Sequence, residues 1–178
     1  MAEAFSNKVA RAAGIVTSTT GGAIGITTNL ITGISTVHVA VNDLVDTGNF
    51  ILGTKVTNIG VSSVTCDRDS TNTAAATNQS VKFLGVTTAY TSTSTKSILV
   101  GGTFANNTSN SVNLTVQVWD NSASTEVAIA GKIPVPNGSS FVITDAGKTV
   151  LESSDEIRIY CDTANAIDAT LSILTGVS

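Results

Sequence analysis

From residue 97 onwards the chain repeats one pattern that few folds accept: apolar side chains at every second position, broken by turns. Ile98-Leu99-Val100, Leu114-x-Val116-x-Val118, Val127-x-Ile129, Ile157-x-Ile159-x-Cys161 and Ile167-x-Ala169-x-Leu171-x-Ile173 carry it. A period of two places these side chains on one face of a strand and leaves the polar residues on the other. Strands at this spacing predict an all-β chain built on an antiparallel β-sandwich, jelly-roll or immunoglobulin-like. The turns between them are legible as Asn106-Asn107-Thr108, Asn121-Ser122, Pro136-Asn137-Gly138 and Asp145-Ala146-Gly147. Pro134 and Pro136 flank a strand end, where a missing N–H costs little.

The sandwich is expected over residues 86–178, a smaller β module over 30–85, read as an insertion between a first sandwich strand near the N-terminus and the remainder, and an extended arm or edge strand over 1–29. Within the arm, Ala4 to Ala13 has the spacing of a short helix, with Phe5 and Val9 on one stripe, although isolated helices of that length are marginal. In the module, Val37-x-Val39-x-Val41 reads as a strand. Residues 53–60 and 64–67 read as a small hairpin, Asp69 to Ser80 as a polar loop, and Val81-Lys82-Phe83-Leu84 as a strand.

Only 12% of the 178 residues are charged and 4% aromatic. A free monomer normally presents more charge to water, so much of the surface is expected to be covered by copies or neighbours. The net charge of −4 and the scatter of Lys8, Arg11, Lys55, Lys82, Lys96 and Lys148 disfavour nucleic-acid binding, which needs clustered cations. The opening residues lack a basic flank ahead of an apolar core, and no run is long enough to span a bilayer, so neither a secretory signal nor membrane insertion is expected. Cys66 and Cys161 are expected as free thiols in a protein made in a cytoplasm, Cys161 on an inward phase as a small hydrophobe.

No reactive constellation stands out, and neither a catalytic residue, a cofactor nor a metal ligand is assigned. His38 is out of phase with its valines and is expected at solvent or an interface. Asp67-Arg68-Asp69-Ser70-Thr71-Asn72 opens like a calcium loop, but Asn72 and Asn78 stand where such a loop needs Gly and Glu. Asp155 and Glu156, as neighbours on a strand edge, face opposite sides and suit no two-carboxylate hydrolysis. Gly21-Gly22-Ala23-Ile24-Gly25 lacks the spacing of a dinucleotide loop. Trp119 falls on the polar phase of its strand with Thr115 and Gln117. It is expected either to meet a partner or to pack on the smaller module. Phe5 and Tyr160 are the other interface candidates.

The segments Ala105-Asn106-Asn107-Thr108, Val112 to Asp120, Ile133-Pro134-Val135-Pro136-Asn137-Gly138-Ser139-Ser140, Gly147-Lys148-Thr149-Val150-Leu151-Glu152, Asp155-Glu156-Ile157 and Ile167 to Leu174 follow one another in an order that resembles the β-sandwich domain of small virion proteins of tailed bacteriophages, of the marine and cyanobacterial type. The family more often has Gly where Ser154 stands and often lacks residues 30–85. Asn42-Asp43-Leu44-Val45 through Gly53-Thr54-Lys55-Val56 is similar to small β modules of phage tail and fibre proteins. The resemblance implies a non-enzymatic, homo-oligomeric virion component. Its partners would be copies of itself and other capsid, portal-neck or tail proteins. The competing expectation is a fibre or adhesin-type module that recognises a surface glycan or receptor.

Overall fold

The computed structural model describes residues 3–144 and 149–177; the turn expected at Asp145-Ala146-Gly147, with Lys148, lies outside them. Every named element is a strand: β1 (Ala4–Ala13), β2 (Ile15–Ile24), β3 (Leu30–Thr32), β4 (Leu44–Asp46), β5 (Val56–Ile59), β6 (Ser63–Cys66), β7 (Ala76–Gly85), β8 (Thr87–Thr91), β9 (Lys96–Asn106), β10 (Val112–Asp120), β11 (Thr125–Val135), β12 (Ser140–Ile143), β13 (Thr149–Glu152), β14 (Glu156–Cys161) and β15 (Ile167–Thr175). They divide into two units, one of residues 1–14 with 87–178 and the other of residues 15–86.

The first unit is a sandwich of two antiparallel sheets. One runs β1-β15-β9-β12, with β13 also paired to β9, and the other runs β11-β10-β14-β8. The period-two residues fill the space between them. Leu99, Phe104, Leu171 and Ile173 from one sheet meet Leu114, Val116, Ile157 and Ile159 from the other, all almost wholly buried, and Cys161 joins this core. Asn106, itself buried, ties two turns of the sandwich together. Its Nδ2 donates to the carbonyls of Asn110, Val135 and Pro136 at 2.8, 2.9 and 3.2 Å, and its Oδ1 accepts from Thr108 N at 2.8 Å. Asp155 does similar work elsewhere, accepting from Asn121 N at 2.9 Å and Glu152 N at 2.8 Å.

The second unit is a six-stranded sheet in the order β4-β7-β2-β3-β6-β5. Its two end strands meet: Val45 N donates to Thr54 O at 2.8 Å and Val56 N to Asp43 O at 3.0 Å. The two ends of the sheet thus close on each other through one short contact, which covers the facing edges of β4 and β5. Ile24, Ile31, Phe50, Val56, Val64, Cys66, Val81 and Phe83 form its interior. The hairpin expected near residues 53–66 is β5 and β6.

Several expectations need correction. Ala4 to Ala13 is strand β1, paired from Ala4↔Thr175 to Ala13↔Ile167. The ladder satisfies its backbone in a way that a short, weakly amphipathic helix could not. The stretch expected as a 1–29 arm is thus shared out: β1 is the edge of a sandwich sheet, and β2 lies between β7 and β3. The chain changes unit at Gly14, whose φ is +122°, and a Cβ there would collide with the carbonyl oxygen of Thr163. Val37 to Val41 is not a strand but consecutive turns, with Val39 N donating to Thr36 O and Asp43 N to Ala40 O, each at 3.2 Å. His38 and Asn42 sit at φ of 66° and 74°, left-handed backbone that bends the chain out of extended geometry. His38 is exposed, Val39 is buried, and Val37 and Val41 are exposed. The polar loop after Asp69 is shorter than expected, because β7 begins at Ala76. It is pinned by Ser70, whose Oγ donates to Gly25 O at 2.8 Å.

Candidate interaction surface

Each sheet of the sandwich has an outer face, and the two faces differ in chemistry. On β10 and β14 the outward positions are polar: Thr115, Gln117 and Trp119 alternate with the core valines, and Arg158 and Tyr160 with the core isoleucines. Arg158 organises this face. Its Nη1 donates to Glu126 Oε1 at 2.8 Å and its Nε to Glu156 Oε2 at 2.7 Å. Its guanidinium also lies 4.3 Å from the centroid of the Trp119 ring. Glu126 is only 1% exposed and Arg158 15%, so this is a largely desolvated cluster. Thr88 Oγ1 adds a hydrogen bond to Glu156 Oε2 at 3.3 Å.

Strand pairing brings a different set together on the outer face of the other sheet. Phe5, Leu174, Ile98 and Val150 lie side by side across β1, β15, β9 and β13. Four residues along β1, a second row runs Val9, Thr170, Thr103 and Val142 across β1, β15, β9 and β12. Between the rows stand Asn7 and Ser172, joined by a hydrogen bond of 3.3 Å from Ser172 Oγ to Asn7 Oδ1. Phe5 is 67% exposed, Val9 74%, Val142 48% and Val150 54%. None of these positions carries a charge. Charges stand at both margins: Arg11 on β1 and Asp168 on β15 at one, the latter accepting Ala12 N at 2.7 Å, and the paired, exposed Lys96 on β9 and Glu152 on β13 at the other. An exposed and uncharged array of this kind is how an interaction site differs from an ordinary surface, where single apolar residues are scattered.

The three interface candidates therefore separate. Phe5 belongs to the uncharged face. Trp119 has the outward phase expected of it, but it is half-buried with Arg158 over its ring. Tyr160 is fully buried and is not a surface residue of this chain. Val9, Ile98, Val142, Val150 and Leu174 were missed by reading period two alone. Their signal is the pair or run of adjacent apolar residues: Ile98-Leu99-Val100, Phe141-Val142-Ile143, Val150-Leu151 and Ile173-Leu174. Neighbours on a strand face opposite sides, so such runs encode strands that are apolar on both faces. Strict alternation, as in β10, encodes one.

The residues weighed for chemistry are engaged elsewhere. Asp67 Oδ1 accepts Lys55 N at 2.8 Å, and Glu156 pairs with Arg158. An open cleft of about 350 Å³ in the second unit is lined by small, aliphatic and threonine residues, among them Ala23, Ile24, Leu30 and Ala76. It offers no acid, base or nucleophilic thiol. No family model, curated protein or solved structure matches the chain.

Proposed function

We propose that this chain is a non-enzymatic structural protein of a tailed-phage virion. It would act as a capsid decoration or cement subunit, or as a neck or tail component, by burying apolar surface against its neighbours. The observation that carries the reading is the charge-free apolar patch at the centre of the outer face of β1, β15, β9, β12 and β13. Apolar area removed from water stabilises a contact by about 25 cal/mol per Å², and many copies make a modest contact durable. The low overall charge supports the same reading. Its place of work would be the virion, after synthesis in the host cytoplasm. The β1 edge favours the face over strand addition: Lys8 lies on the inward phase of this edge strand, opposite Leu171, yet remains exposed, and a charge so placed hinders pairing with another strand.

Glycan recognition is the weaker reading. It asks for an exposed aromatic platform, whereas Tyr90 and Tyr160 are buried and one face of the Trp119 ring is covered by Arg158.

The deciding experiment counts copies of the chain per purified particle by quantitative mass spectrometry against a capsid-protein standard. Hundreds of copies would mark a decorated shell or a repeating tail, and about six to twelve a ring of cyclic symmetry. A count near zero would reject the virion reading.

A further inference from the structure

We infer that the outer face of β1-β15-β9-β12/β13 takes a second copy of the same face, across a twofold axis lying between the two sheets. This deepens the proposed function by naming the partner at that surface.

The first argument is charge. Inside its charged margins the patch of the two rows carries no charge, and it is matched by another such patch, since a charge set against it would be desolvated with no compensating group. The chain itself supplies such a surface. The second argument is the symmetry of the polar centre. Asn7 and Ser172 each both donate and accept hydrogen bonds. The bond from Ser172 Oγ uses Asn7 Oδ1 and leaves the Asn7 amide N–H groups to donate. A twofold copy presents the same amide and hydroxyl in return. With the axis in the plane of the sheets and perpendicular to the strands, β1 faces β1 and each row falls on the other, apolar on apolar or apolar on threonine.

The third argument is size. Four strands about 4.8 Å apart, with rows about 7 Å apart along them, make a face of about 20 by 20 Å. Two such faces bury about 800 Å² in all, below the roughly 1,200 Å² at which stable specific contacts begin. The pair is thus a reversible dimer in free solution, strengthened where many copies are held together. Two sheets stacked face to face sit about 10 Å apart, the same geometry as the sandwich inside each copy.

The test is sedimentation velocity on the full chain from about 1 μM to 1 mM, alongside Val9→Lys and Thr170→Lys. Both side chains are exposed, so circular dichroism and melting of dilute protein should not change. The expected result is a concentration-dependent dimer whose dissociation constant rises at least tenfold in either variant. In addition, Ser172→Cys should cross-link to itself through a short bis-maleimide, while Thr57→Cys in the second unit should not. A wild type that stays monomeric to 1 mM, or a dimer indifferent to both lysines, overturns the inference. The copy number per particle judges the virion role separately, so failure of one is distinguishable from failure of the other.

Discussion

The guanidinium of Arg158 lies 4.3 Å from the centroid of the Trp119 ring and bonds at the same time to Glu126 and Glu156. Three strands thereby meet through one side chain, because Glu126 is on β11, Trp119 on β10 and Glu156 with Arg158 on β14. Register makes this possible: Trp119 is directly opposite Glu126 on one side and Glu156 on the other.

Arg158→Ala should cost about 3 kcal/mol, since removing one partner of a buried pair leaves a carboxylate without its cation. Trp119→Ala should cost less, about 1–2 kcal/mol, as it removes packing and a cation–π contact. Urea unfolding of the two variants checks the order. If Trp119→Ala proves the more damaging, the ring rather than the ion pairs holds this face.

Asn106→Ala should destabilise the sandwich by about 2 kcal/mol, because the buried Val135 carbonyl and the part-buried carbonyls of Asn110 and Pro136 lose one shared donor. Asn106→Asp should do no better, since a carboxylate cannot donate to those carbonyls. Thermal melting of both variants reads the effect.

Val116 is fully buried, whereas Val118, nearer the strand end, is only partly so. Val116→Asp should therefore prevent folding or cost more than about 4 kcal/mol, as an unpaired charge in a core does. Val118→Asp should be milder, with its carboxylate able to reach water. Comparable expression and melting of the two would contradict the observed inward phase.

Burial, with the neighbouring charges of Asp67 and Asp162 adding to it, pushes the Cys66 and Cys161 thiols up to about 12. At pH 8 the thiolate fraction should be negligible, so neither Cys66 nor Cys161 should react with a maleimide in the folded protein. Both should react within minutes in concentrated guanidinium. Native labelling of one site would locate an opening of its core.

Burial also raises the Asp43 carboxyl above its ordinary value of 3.8, against the opposing hydrogen bond from Ala40 N. A raised carboxylate penalises the charged folded state above its folded pKa. Asp43 should thus contribute a gain in stability as pH falls from neutral through that pKa, complete below about 3.8. In Asp43→Asn this part of the pH dependence should vanish when melting is followed between pH 7 and 4.

The sandwich core was legible because alternation is a local signal: Leu114, Val116, Ile157, Ile159, Leu171 and Ile173 all point where their phase sends them. β1 was not legible. Its residues carry a weak helical stripe, and what makes them a strand is the free ladder of β15, 150 residues away in the chain. The turns at Val37 to Val41 escaped for the opposite reason, since an alternating pattern there is overridden by positive φ at His38 and Asn42. Of the interaction surface, Phe5 was legible as a large apolar residue without a core position, but its neighbours on the face were not.

Local sequence alone makes the chain a set of strands, places the sandwich turns near Asn106, Asn121 and Asn137, sends the alternating side chains into the core and leaves little charge for the exterior. These follow from side-chain period, turn chemistry and composition, all of which act over a few residues. Tertiary structure alone decided that β1 joins β15, that residues 15–86 close into their own sheet, that Tyr160 is buried and that Phe5, Val9, Val142 and Val150 share one face. Those facts depend on which strands pair and in what register, and pairing joins residues whose separation along the chain leaves no local trace.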